Sequence, residues 1–255
     1  MFYGTVVARP WCNYLGKGSQ MKFLFMSFTA ALLFSAAHAK ADDGPSKVKV
    51  NFGKIYVAKG FDSNDKVQIV GEGVYNNGCF RNAETKVRVD HDAKVITLTP
   101  YAYKYDGMCI QVIMPYDRVV DVGILKAGTY KVKQDGQSTF LGDVETTVAT
   151  TKNPDDFTYA PISQAFFKGN GTSNIVSITG EFPNSCMTLK EVKFDVQPDV
   201  LVVQPIAEMQ EGKDCKDGSF YFEKDTEVGP MKAGRYLLHV RSMNGKAINN
   251  LVEVK

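Results

Sequence analysis

The chain has 255 residues, with 30 Lys and Arg against 28 Asp and Glu, a formal net charge of +2, and five cysteines. So even a balance leaves no strong basic field to attract nucleic acid or anionic lipid. Outside the first forty residues no stretch approaches the roughly 18 apolar residues that a membrane span requires.

The front of the chain reads as a secretory signal. Met21 and Lys22 precede an uncharged apolar run from Phe23 to Phe34. Ala37 and Ala39 then supply the small residues a signal peptidase reads, so residues 21–39 form the signal and cleavage is expected after Ala39. Residues 1–20 lie upstream of that complete signal. They read as a mis-assigned start, with an extended n-region carrying Arg9 and Lys17 as the alternative. Removing residues 1–39 takes away Arg9, Lys17 and Lys22, which lowers the basic count from 30 to 27 against 28 acidic residues, a net of −1. The expectation is an exported protein, periplasmic or extracellular, with no transmembrane segment after processing.

Beyond Ala39 the chain is strand-like, and its pattern occurs twice. Val48, Val50 and Phe52 alternate, then Ile55 and Val57, then Val67 and Ile69. Val87 and Val89 are joined to Val95–Leu98 by the polar connector Asp90–Lys94, which has hairpin length. Ile110, Val112 and Met114 alternate, Val120 and Val122 continue, and Tyr130 and Val132 open another strand. The second half offers Ile175–Ile178, Val192–Val196, Val200–Val203, Phe220–Phe222, Tyr236–Val240 and Leu251–Val254. Val67–Gly71 through Cys79 matches Val176–Gly180 through Cys186. Pro100 and Cys109 match Pro205 and Cys215, and Leu125–Val132 matches Met231–Leu238. From the first cysteine to the tyrosine of the last match, the offset is 105 to 107 residues. This predicts two copies of one all-β module, residues 43–150 and 151–255, joined by the polar segment Thr150–Asp156. Seven or eight short strands per copy predict two tandem antiparallel β-sandwiches.

Loss of Cys12 with the leader leaves Cys79, Cys109, Cys186 and Cys215. Four cysteines in an exported chain imply two disulfides, with three connectivities open. The repeat selects Cys79–Cys109 and Cys186–Cys215, because each copy owns one matched pair. A zinc site is disfavoured, since no Cys-x-x-Cys occurs.

Leu125-Lys126-Ala127-Gly128-Thr129-Tyr130 and Met231-Lys232-Ala233-Gly234-Arg235-Tyr236, each running into an alternating strand, resemble the tyrosine corner of immunoglobulin-like sandwiches. The whole pattern is similar to tandem immunoglobulin-like modules of secreted, bacterial-type proteins with one disulfide per module. The resemblance implies that Tyr130 and Tyr236 are structural corner residues whose hydroxyls return to backbone near the turn. It departs from antibody domains, since Val132 and Leu238 stand where the strand-F cysteine would be and no core Trp exists. Fibronectin-like and jelly-roll topologies stay open.

Chemistry is sparse. His91 and His239 are the histidines after the leader, and no hydrolase, P-loop, zincin or dinucleotide motif is present. No catalytic residue and no cofactor is expected. Asp62 and Asp65, with Asp155 and Asp156 at the linker, are weak calcium candidates, because clustered carboxylates suit that ion. Acidic turns also arise for turn-forming reasons alone. Asn170–Thr172 is a glycosylation sequon, meaningful in a eukaryotic secretory pathway. The copies diverge after the shared proline: the first reads Tyr101, Tyr103 and Tyr105, and the second has no aromatic there. Three rings at alternate positions line one face of an extended segment, either as a recognition surface or as packing on the module itself. The reading is therefore an exported, non-catalytic binding or structural protein whose partner is a protein or glycan. An envelope-assembly or chaperone-like role, favoured by an exposed apolar edge strand, and an enzyme of undetected type are the alternatives.

Overall fold

The structure is a computed structural model that describes residues 44–153, 155–169, 173–212 and 214–255. The stretch 1–20, the segment 21–39 expected as a signal with its expected cut after Ala39, and the sequon Asn170–Thr172 lie outside the described residues.

The alternating runs form strands. The first half carries β1 (Ser46–Lys49), β2 (Lys54–Tyr56), β3 (Phe61–Asp62), β4 (Val67–Tyr75), β5 (Phe80–Asp90), β6 (Val95–Lys104), β7 (Met114–Gly123), β8 (Gly128–Gln134) and β9 (Phe140–Thr147). The second carries β10 (Ile162–Gly169), β11 (Asn174–Asn184), β12 (Met187–Val196), β13 (Val200–Met209), β14 (Asp217–Glu227), β15 (Gly234–Ser242) and β16 (Lys246–Val254). The expected connector closes the β5–β6 hairpin. The Asp90 carboxylate accepts the amides of Asp92 (3.1 Å) and Ala93 (2.8 Å), and Lys94 completes the turn at φ 53°.

The two halves share one strand plan. In the first, β2-β4-β7 forms one sheet and β5-β6-β8-β9 the body of the other, with β1 and β3 added at its margins. In the second, β10-β11-β14 faces β12-β13-β15-β16. The protein is thus an all-β sandwich chain. One pair common to both halves departs from the antiparallel expectation: β6 runs parallel to β8, and β13 parallel to β15; the first half adds the short β3 parallel to β9. The cause is connectivity. Between β6 and β8 the chain crosses to the other sheet as β7 and returns, and such a crossover brings strands back in the same direction. In each half the second strand of the hairpin therefore sits between the first and the penultimate strand. This differs from the immunoglobulin order, in which strands C and F are neighbours.

The structure also corrects the alignment of the leading match. Tyr75 stacks on Tyr116 (4.2 Å between centroids) as Phe182 stacks on Phe222 (4.5 Å). The Asn77 carbonyl oxygen accepts the Cys79 amide just as that of Asn184 accepts the Cys186 amide, both at 3.0 Å. Gly73 is therefore the counterpart of Gly180, two residues on from the position given by sequence similarity. A shift of two residues along a strand keeps every side chain on its face, so the similarity survived the slip.

Each sandwich buries its facing side chains: Ile69, Ile96, Leu98, Tyr130, Val132 and Val144 in the first, Val176, Ile178, Leu201, Val203, Leu238 and Val240 in the second. The outward face of β13 and β15 is apolar as well. Val200, Val202 and Leu237 are buried in one cluster with Tyr56 and Val70, which stand on the outward face of β2 and β4. Ion pairs flank this contact, Lys54–Asp199 at 3.2 Å and Arg235–Glu72 at 2.7 Å, and the Asn249 side-chain amide donates to Gln68 (2.7 Å). The sheets therefore stack in four layers, with β1-β5-β6-β8-β9 and β10-β11-β14 as the two free outer faces.

Candidate functional site

One end of the first sandwich concentrates exposed apolar groups. Sequence alternation predicts a strand from Ile110, but β7 begins only at Met114, and residues 105–113 form a loop. The Cys79–Cys109 bridge (Cα–Cα 5.3 Å) ties that loop to the β4–β5 turn. The Gly78 amide donates to Ile110 oxygen at 2.9 Å and the Tyr105 amide to Cys79 oxygen at 3.0 Å. The loop's bonds are spent on this turn, so the side chains point out: Met108 is fully exposed and Ile110 and Ile113 are 73% and 72% exposed. Tyr103 and Tyr105 stand beside them, exposed, while Tyr101 is half-buried under the ammonium groups of Lys47 (4.6 Å) and Lys86 (5.6 Å). The three tyrosines are thus divided, one held by lysines and two at the rim.

A rigid base supports the rim. Phe52, Tyr116, Tyr75 and Phe80 follow one another in ring contact, with centroid separations of 6.1, 4.2 and 5.3 Å. The Tyr116 hydroxyl donates to Asn51 oxygen at 2.7 Å, and burial pushes its pKa up to about 12. Arg118 reaches Thr85 and Asn82, each at 3.0 Å, fixing β7 to β5. The second half has the matching bridge, Cys186–Cys215 (Cα–Cα 5.3 Å), but the residues that match 108–113 are Asp214-Cys215-Lys216-Asp217-Gly218-Ser219. The signal that could have exposed the rim was this contrast: four large apolar residues, Met108, Ile110, Val112 and Ile113, where the other copy has Asp214, Lys216, Gly218 and Ser219.

The remaining candidates are dispersed. The Tyr130 ring is fully buried, and its hydroxyl meets the His91 Nδ1 at 2.9 Å and the Lys94 ammonium at 3.3 Å. Its partners are side chains of the β5–β6 hairpin and not the backbone expected of a tyrosine corner, because the hairpin folds over the ring. Tyr236 is buried at the matching position. His239 is buried, its Nδ1 donating to the Asn249 carbonyl oxygen at 2.7 Å, with Phe61 edge-on at 5.8 Å. Burial, with Arg241 nearby, lowers its pKa to about 4.

Asp65 and Asp155 are brought together around a cavity of about 20 Å³ at the junction, and Arg241 also lines it. Arg241 pairs with Asp65 at 3.6 Å, and Asp155 accepts the Asn244 amide at 3.1 Å. The Asp62 carboxylate accepts the Asn64 amide at 3.0 Å. Burial lifts Asp65 above the ordinary carboxyl range, only partly offset by the Asp62 amide and by Arg241. The carboxylates of Asp62, Asp65 and Asp155 are engaged by a guanidinium and by turn amides, and Asp156 is exposed. Among the described residues no group of three or more His, Cys, Asp or Glu is placed to hold a metal ion, and no helix is long and apolar enough to cross a membrane.

A family model described as the ORF11 beta-sandwich domain matches two segments, residues 69–144 and 176–254, together more than half of the chain. One segment falls within each sandwich, from β4 to β9 in the first and from β11 to β16 in the second. No curated protein and no solved structure matches significantly.

Proposed function

The chain belongs to the ORF11 beta-sandwich domain family, and on that frame we propose that it is an exported, non-catalytic protein that binds a protein partner through the rim at residues 103–114. The carrying observation is the exposure of Met108, Ile110 and Ile113 on a loop pinned by a disulfide. An apolar patch that is held rigid costs little entropy to bind, and such patches on secreted modules mark interaction sites. Aliphatic side chains bury well against another protein's apolar surface, and Tyr103 and Tyr105 add amphipathic rings. The exposed residues lie in a loop and not along an edge strand, which favours a fixed docking rim over the strand addition of a chaperone-like factor. Export is supported by the two disulfides and the signal-like segment 21–39. The non-catalytic reading draws support from the histidines: His239 is closed off against Asn249, and His91 is engaged with Tyr130.

The test uses the processed protein as bait in an extract of its native compartment, beside the variant Ile110→Ser/Ile113→Ser. A partner retained by the wild type and lost by the variant, at equal thermal stability, is the expected result. Equal capture by both would reject the rim as the binding site.

A further inference from the structure

The two free outer faces of the four-layer stack are the counterparts of the two faces that meet inside it. The outward face of β10-β11-β14 corresponds to that of β2-β4-β7, and the outward face of β5-β6-β8-β9 to that of β12-β13-β15-β16. At the internal junction Tyr56, opposite Val70 in the β2–β4 ladder, is buried with Val200, Val202 and Leu237. Phe166 holds the place of Tyr56 on the free face, opposite Ser177 in the β10–β11 ladder, and is 53% exposed. Val95, Thr97 and Lys131 hold the places of Val200, Val202 and Leu237, since both trios pair in the same parallel register.

The charges on the two free faces are opposite. Glu223, Asp225 and Glu227 stand on β14 opposite Thr179, Ser177 and Ile175, on the same outward face as Glu181, with Lys168 as the cation on that face. Arg88 and Lys133 flank Thr97 from the two neighbouring strands, and Lys86 stands opposite Thr99. The acids nearest these cations are already engaged: Glu84, Asp135 and Asp143 pair with Lys47, Lys49 (2.6 Å) and Lys131 (2.7 Å), and Asp90, opposite Val95, accepts the turn amides of Asp92 and Ala93. Among the described residues Lys86, Arg88 and Lys133 form no ion pair.

We infer that this protein associates head to tail with further copies of itself, the acidic β10-β11-β14 face of one copy docking on the basic β5-β6-β8 face of the next as the two halves dock within the chain. The same operation that relates the halves then relates the copies. Such a heterologous contact does not close and generates linear stacks. Polar and charged residues replace the apolar centre of the internal junction, so the contact is electrostatic, reversible and weakened by salt. Its charged groups, Lys86, Arg88 and Lys133, lie on strands and not in the loop at residues 105–113, and the association goes beyond the binding role proposed for that loop.

The test is sedimentation velocity on the processed full chain at roughly 20 mM and roughly 500 mM salt, about 20 and 4 Å of screening length. Three proteins are compared: wild type, Lys86→Glu/Arg88→Glu/Lys133→Glu, and Glu223→Lys/Asp225→Lys/Glu227→Lys. The expected result is concentration-dependent association of the wild type at low salt, its loss at high salt, and its loss in each variant alone. Mixing the two variants restores association, because each reversed face again meets its complement. A wild type that stays monomeric at low salt, or association that survives either reversal, would overturn the inference.

Discussion

Gly71 has no room for a side chain. A Cβ there would stand 2.6 Å from the buried Phe52 ring, and at Gly73 one would meet Tyr116 at the same distance. Both rings belong to the base of the rim, so Gly71→Ala should cost about 1–3 kcal/mol by overpacking, and thermal unfolding would show it. His239 carries a second residue-scale consequence. The unfolded histidine binds a proton below pH 6.5, whereas the folded one stays neutral until about pH 4. Between these values the unfolded state holds more protons, so stability falls as pH falls through this window and then levels. The full difference is roughly 3 kcal/mol. Unfolding midpoints of wild type and His239→Gln, measured from pH 7 to 4, should diverge across that range. Parallel curves would mean that His239 is not buried in the neutral form.

Among the elements, the strands were legible where one face meets a core and the other meets water: Ile96, Leu98 and Val132 are buried, while Lys86, Arg88 and Lys131 on the opposite face of the same sheet are exposed. The segment from Met108 to Met114 alternates equally well yet is a loop. Alternation records which side chains share a face and not whether a ladder partner exists, and here the amide of Gly78 and the bridge at Cys109 claim the backbone instead. Val200–Val203 carried a signal of another kind. Four consecutive apolar residues mean a strand buried on both faces, as β13 is between the second core and the junction. The expected disulfide pairs are present, and closing loops of 30 and 29 residues stabilises by roughly 3–4 kcal/mol each in the chain-entropy model. Cys79→Ser/Cys109→Ser should lose about that much and also release the rim. Partner capture should then weaken more than in a variant of equal stability loss elsewhere.

At the scale of the whole molecule, the sequence repeat announces two modules but not how they meet. The junction is set by side chains on opposite faces of strands far apart in sequence, Tyr56 and Val70 against Val200, Val202 and Leu237. Each half holds a complete sandwich and its own disulfide, so polypeptides 43–150 and 151–255 should fold separately. Each then exposes one half of an apolar contact, and both should melt below the full chain. The difference between the free outer face and the buried one reduces to a few positions, of which Lys131 against Leu237 is the clearest. Leu237→Lys installs at the junction the residue that the first copy presents to water. Small-angle scattering of that variant is the sharpest test of the stacked arrangement. The expected result is a larger radius of gyration with strand content and both disulfides intact, because the sandwiches separate while each stays folded. An unchanged radius of gyration with an unchanged melting temperature would show that the halves are not held by this contact.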